Sequence, residues 1–256
     1  MKRLAELKES GHKAFVAYIM AGDGGLDKLG EQIQYLQERG VTAIEVGIPF
    51  SDPVADGPTI EAAGNRALAQ GVTLEKVIAA MKAFDFEVKV PLIIMTYLNP
   101  VLRFGAERFT EEAKKAGAAG IIIPDLPFEH RQIIEPFAKQ QGLVLVQLVT
   151  LTTIDSRLEE ILKEAQGFVY AVTVTGITGS RDDLAEEVGA FTRKVRNLSP
   201  VPVYAGFGIS KESHVDMLRE DVDGFIVGSA IVQAFHEDRI ADIEPLIDAV
   251  TVPHSV

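Results

Sequence analysis

Eight short apolar runs, rich in β-branched residues, recur along the chain with amphipathic stretches between them, and this alternation leaves few architectures open. The runs lie at 14–20 (AFVAYIM), 42–48 (TAIEVGI), 91–97 (PLIIMTY), 119–124 (AGIIIP), 143–149 (LVLVQLV), 168–173 (FVYAVT), 201–205 (VPVYA) and 223–228 (DGFIVG). Runs of this length and composition read as buried strands. Between them, Leu26, Leu29, Ile33 and Leu36 step by three and four along one helical face, and Gly40 supplies a stop. Phe109, Ala113 and Ala116 before Gly117, and Leu158, Ile161 and Ala165 before Gly167, repeat the pattern. Eight strand–helix units in series predict an α/β fold, a single (β/α)8 TIM barrel with extra helical segments, the long second unit carrying a long loop and an added helix. The competing architecture is an open, doubly wound sheet. It normally places a glycine-rich dinucleotide fingerprint after the first strand, and Ala21-Gly-Asp-Gly-Gly25 lacks the full pattern.

The length of 256 residues suits two small domains or one barrel; with 47% apolar side chains and no visible linker, one barrel domain spanning 1–256 is expected. There is no cysteine, so neither a disulfide nor a thiolate–metal site is available. Residues 1–8 are charged and amphipathic and do not resemble a secretory leader, and no apolar run approaches the roughly 18 residues of a membrane span. A cytoplasmic location is expected. The net charge of −12 argues against nucleic acid or an anionic membrane as the main partner.

Within the second run, Glu45 interrupts an otherwise apolar strand. Burying a carboxylate without compensation costs several kcal/mol, so the residue is either ion-paired or used for its raised proton affinity. Strand parity places Ile44, Val46 and Ile48 toward the helices, and Ala43, Glu45 and Gly47 toward the barrel interior. Glu45 therefore points inward near the C-terminal mouth, where such barrels build their active sites. No strand interior offers a basic partner; Lys89 precedes the third strand. Asp56 follows in the loop Pro49-Phe-Ser-Asp52-Pro-Val-Ala-Asp56-Gly57-Pro58, from which it can fold back over the mouth. A desolvated Glu45 and an ionised loop aspartate form an acid/base set with divergent proton affinities. Asp-Gly is also a common turn pair, so Asp56 alone does not decide the matter. Asp52 fits a turn-capping role.

Three glycine-bearing turns follow late strands: Thr178-Gly179-Ser180, Gly206-Phe207-Gly208-Ile-Ser210 and Gly228-Ser229-Ala230. Backbone amides in such turns, helix starts and serine hydroxyls together hold phosphate, and barrels often use their last loops this way. Each turn alone is weak. Their joint placement predicts a phosphorylated ligand. Tyr18, Tyr97, Tyr170 and Phe207 fall near strand ends. Singly they read as barrel packing; together they can line a slot for a flat ring. The five histidines, His12, His130, His214, His236 and His254, form no short-spaced pair and lie in no strand. No metal site, Schiff-base lysine, serine elbow or Walker loop is visible. The residues point to acid/base chemistry on a phosphorylated substrate, without a cofactor in this chain.

With these segments assembled, the sequence resembles the tryptophan synthase α-subunit family nearly end to end. The resemblance rests on Phe15 to Asp23, on Glu45-Val-Gly-Ile-Pro-Phe-Ser-Asp-Pro-Val-Ala-Asp-Gly-Pro-Thr-Ile60, which is very specific, and on Asn99-Pro100, Pro124-Asp125-Leu-Pro127, Val174-Thr-Gly-Ile-Thr-Gly179, Gly206-Phe-Gly-Ile-Ser210 and Val227-Gly-Ser-Ala230. It implies a lyase of tryptophan biosynthesis that cleaves indole-3-glycerol phosphate to indole and glyceraldehyde 3-phosphate. By that likeness Glu45 is the general acid/base, Asp56 holds the ring N–H, and Tyr170 is an active-site tyrosine. Thr178 would bond Asp56 when its loop closes. Gly179, Gly208, Gly228 and Ser229 match the phosphate site, and Tyr18, Met95 and Phe207 the ring pocket. The family works with a β subunit that carries pyridoxal phosphate, in an α2β2 complex, and Pro49, Asp52, Asn99 and Pro127 would face it. Ala17-Tyr18 stands where many relatives have Pro-Phe, so a hydroxyl enters the pocket wall; Thr150-Leu151 and Gly24 stand where proline is frequent. The competing readings are a different phosphosugar barrel enzyme and a barrel that only binds and regulates a partner.

Overall fold

The computed structural model describes residues 2–173, 181–206 and 208–252. Nine parallel strands form one sheet: β1 (Ala14–Met20), β2 (Ala43–Gly47), β3 (Leu92–Met95), β4 (Ala118–Ile122), β5 (Val144–Leu145), β6 (Gln147–Thr150), β7 (Val169–Val172), β8 (Val203–Gly206) and β9 (Gly224–Val227). The order is β5-β4-β3-β2-β1-β9-β8-β7-β6. Its two ends, β5 and β6, are separated by Val146 alone, whose N–H still donates to the Ile121 carbonyl at 3.0 Å. One run of chain thus begins paired to β4 and finishes paired to β7, which closes the ring into a TIM barrel. The predicted single strand at 143–149 is therefore two short ones. The sequence could not show the break, because the apolar run continues through the residue at which the pairing partner changes.

The helices are α1 (Lys2–Glu9), α2 (Leu29–Glu38), α3 (Pro58–Ala69), α4 (Leu74–Lys82), α5 (Leu98–Phe104), α6 (Ala106–Lys115), α7 (Glu135–Gln140), α8 (Asp155–Glu164), α9 (Arg181–Leu198), α10 (Glu212–Leu218), α11 (Ser229–His236) and α12 (Glu244–Thr251). The long second unit carries both α3 and α4. Pro58 opens α3 at a position where its missing N–H costs nothing, and the Thr73 side chain accepts from the Lys76 N–H to start α4. After α2 the chain reverses at Gly40, whose φ of +83° suits glycine.

Strand residues are buried on both faces, as expected for a parallel sheet covered by helices. Ile33, Leu36, Val77 and Phe109 pack the outer layer, and Leu158, Ile161, Val195 and Val203 seal β6–β8 against α8 and α9. Ion pairs tie α9 to the segment leading into β9: Arg196 meets Asp223 at 2.8 Å and Arg193 meets Asp221 at 2.9 Å.

Candidate active site

Register sets the interior. Across neighbouring strands Tyr18, Glu45 and Ile93 are paired, so these three side chains share one face, and strand parity places it inside the barrel. Two glycines make room for tyrosine rings among them. A Cβ on Gly47 would lie 2.5 Å from Cζ of Tyr18, and one on Gly206 would lie 2.5 Å from Cζ of Tyr170. Both rings occupy space that a side chain at the glycine would otherwise fill.

Glu45 is fully buried, and neither carboxyl oxygen has a hydrogen-bond partner among the described residues. Burial pushes its pKa up to about 8. The ordinary alternative, an arginine pair, is not what the structure builds. A carboxylic acid that stays protonated at neutral pH is a proton donor held ready. Tyr18 and Tyr170, each nearly buried, feel its charge, and both line a cavity of about 1130 Å³ at the C-terminal mouth. Glu45 lies behind that cavity surface rather than on it.

Asp56 is half-buried on the cavity rim. The Tyr97 hydroxyl donates to its Oδ1 at 2.9 Å and accepts the Ala55 N–H at 3.1 Å, while the Tyr97 ring stacks on Phe50 at 5.3 Å. Burial raises the Asp56 pKa to about 6; the Tyr97 hydrogen bond offsets part of the shift and the Glu61 charge adds to it. The two carboxyl groups keep the expected order of proton affinity, with Asp56 mostly ionised at neutral pH. Its environment is drier than a plain loop predicts. Neither the Tyr97 bond nor the brace behind it was visible in the sequence. Arg66 on α3 grips Asp23, in the loop after β1, through two bonds of 2.7 Å, steadying the helix that begins two residues after Asp56.

After β8 and β9, Gly208, Ser210, Gly228 and Ser229 line the same cavity. Ser229 is the first residue of α11, so free amides point at the opening. Gly208 adopts a φ of +89°. Met95, at the end of β3, lines the ring side beside Tyr18. Thr178, Gly179 and Phe207 lie outside the described residues. Arg131, stacked on Phe128, and Arg157 also border the cavity, and sequence reasoning had not singled them out. Among the described residues no three His, Asp or Glu side chains gather as metal ligands.

Asp52, Asn99 and Pro127 are exposed, whereas Pro49, next to buried Ile48, is itself buried and offers no free surface. Asp52 accepts the Ser51 hydroxyl at 2.5 Å, a bond between neighbouring side chains. Val54, 82% exposed, and Leu102, 51% exposed, stand beside these residues in sequence.

The family profile for the tryptophan synthase alpha chain matches residues 4–252. The chain belongs to that family. Its sequence is 49% identical over 241 residues to the tryptophan synthase alpha chain of Bacillus cereus, covering 94% of this chain and 93% of the relative. The crystal structure of tryptophan synthase subunit alpha from Legionella pneumophila str. Paris superposes with a TM-score of 0.86 at 31% identity, covering 98% and 95% of the two chains. A ligand-free mutant form of tryptophan synthase from M. tuberculosis gives 0.86 at 30% identity, covering 98% and 97%. As a member of the tryptophan synthase alpha chain family, the protein is a lyase of tryptophan biosynthesis that cleaves indole-3-glycerol phosphate. Among the described residues no helix is long and apolar enough to cross a membrane.

Proposed function

We propose that Glu45 and Asp56 divide the proton traffic of this cleavage, with the phosphate of indole-3-glycerol phosphate held by the turns at Gly179, Gly208 and Gly228-Ser229. The observation that carries the reading is the buried, unpaired carboxyl of Glu45 beside a cavity lined by both Asp56 and the glycine turns at Gly208 and Gly228. In this reading the Glu45 carboxyl reaches past the tyrosine rings and gives its proton to the ring carbon bearing the side chain. The ring becomes a cationic indolenine, and the Asp56 carboxylate stabilises the N–H. Glu45, now ionised, takes the proton of the neighbouring hydroxyl. The carbon–carbon bond breaks, its electrons restore the aromatic ring, and indole and glyceraldehyde 3-phosphate leave. Glu45 ends protonated as it began. Tyr18, Met95 and Phe207 form the ring slot, Tyr170 packs beside the reacting carbon, and Thr178 bonds Asp56 when its loop closes.

The whole chain acts in this scheme as one barrel domain working in the cytoplasm. It carries no cofactor of its own; pyridoxal phosphate belongs to a β subunit that joins indole to serine in an α2β2 complex. The rim of Asp52, Asn99 and Pro127, with exposed Val54 and Leu102, is the docking surface in this reading. Docking there acts on the loop carrying Asp56 and so couples the two sites. The test is indole release from indole-3-glycerol phosphate by the purified chain, with and without a β subunit. Turnover is expected to be weak alone and to rise greatly with the partner. Equal turnover in both would remove the coupling from the account, and no indole in either would remove the residue assignments.

A further inference from the structure

We propose that Tyr18 is a positioning residue for the Glu45 proton: its hydroxyl donates a hydrogen bond to the Glu45 carboxylate during the interval in which that group is ionised. This inference rests on the acid/base reading of Glu45. Its grounds are geometric. Tyr18 on β1 is paired with Glu45 on β2. Its ring is fixed at both ends: the root packs on Gly228, where a Cβ would sit 3.5 Å from the Tyr18 Cβ, and the tip overlies Gly47. Gly47 is two residues beyond Glu45, about 6.6 Å along the strand, so a glutamate side chain extended toward the cavity ends near the tyrosine hydroxyl.

Donor and acceptor are both unfilled. The Tyr18 hydroxyl makes no hydrogen bond among the described residues, and both Glu45 oxygens are orphaned. Once Glu45 has delivered its proton, a bare carboxylate remains in a dry site. Tyr18 on β1 and Tyr170 on β7 feel it; Asp56, in the loop after β2, acts on both tyrosines, and Tyr97 acts on Tyr18. Among the described residues no cation acts on the Glu45 carboxylate. Hydroxyl donors are the groups left to hold it. Burial, with the charges of Asp56 and Glu45, raises the Tyr18 pKa well above the phenol value. The hydroxyl therefore stays protonated and donates without competing for the proton in transit.

The experiment is Tyr18→Phe in the full chain with a β subunit supplied, measuring kcat and KM for indole-3-glycerol phosphate across pH, alongside Glu45→Gln. The ring is preserved, so binding of glycerol 3-phosphate should be retained, which reports that the pocket is intact. We expect kcat to fall by roughly one to two orders of magnitude, the range of a hydrogen bond to a charged group, with KM little changed. The limb on which activity is lost as Glu45 deprotonates should move up by about one pH unit, because the carboxylate has lost a donor that stabilised it. A limb that does not move, or an effect confined to KM, overturns the inference and leaves Tyr18 as ring packing. If Glu45→Gln is inactive while Tyr18→Phe matches the parent, only this inference fails. If Glu45→Gln stays active, the underlying reading fails.

Discussion

Replacing Gly47 by alanine tests how tightly the interior fixes its tyrosines. The φ of Gly47 is outside the left-handed region, so alanine is compatible with the backbone and brings about 0.4–1 kcal/mol through the unfolded chain. The new methyl, however, would lie 2.5 Å from Cζ and 2.9 Å from Cε2 of Tyr18, atoms of a rigid ring rather than a flexible tip. Overpacking of this kind costs about 1–3 kcal/mol, so the clash outweighs the gain and a net loss of about 1–2 kcal/mol is expected. For a chain of this size that lowers Tm by about 2–8 °C. Circular dichroism melts of Gly47→Ala, Tyr18→Leu and the double variant decide the matter. Leucine ends before the clashing atoms, so the double variant should melt no lower than Tyr18→Leu alone, a coupling of about 1–2 kcal/mol. Strictly additive losses would refute the ring placement, and a neutral Gly47→Ala would do the same.

The proton affinity of Glu45 has a consequence for stability. Its native pKa of about 8 exceeds the ordinary value of 4.5, so the native state binds the proton more tightly. The associated stabilisation is complete below about 4.5 and is lost as pH rises through about 8. Relative to the parent, Glu45→Gln should gain several kcal/mol between pH 5 and 9, read from urea midpoints; parallel pH curves would contradict this. Tyr97→Phe removes the bond that holds the Asp56 pKa down, so that pKa should climb above about 6 and the low-pH limb of activity should shift upward. Activity at pH 6 should therefore suffer more than at pH 8, and a uniform loss would point to misplaced packing instead.

Much of this molecule could be read from local pattern. The strand runs stand within one or two residues of their positions in the barrel, because parallel strands buried on both faces leave unbroken apolar runs. Parity alone turned Glu45 inward, since Ile44, Val46 and Ile48 claim the other face. What stayed hidden depends on contacts distant in sequence. Asp23 and Arg66 are separated by 43 positions and nothing local joins them. Tyr97 reads as an ordinary aromatic at a strand end, yet its hydroxyl bonds Asp56 and offsets part of the pKa rise that burial causes. Pro49 reads as loop surface but is buried. The break at Val146 arises from closure of the whole ring, which no seven-residue window contains.

Indole release from indole-3-glycerol phosphate by Glu45→Gln, in the presence of a β subunit, bears most directly on the role given to Glu45. Glutamine preserves shape and burial but carries no exchangeable acid proton. The account predicts near-total loss of turnover with glycerol 3-phosphate binding retained. Turnover close to that of the unaltered protein would show that the buried carboxyl is not the proton donor.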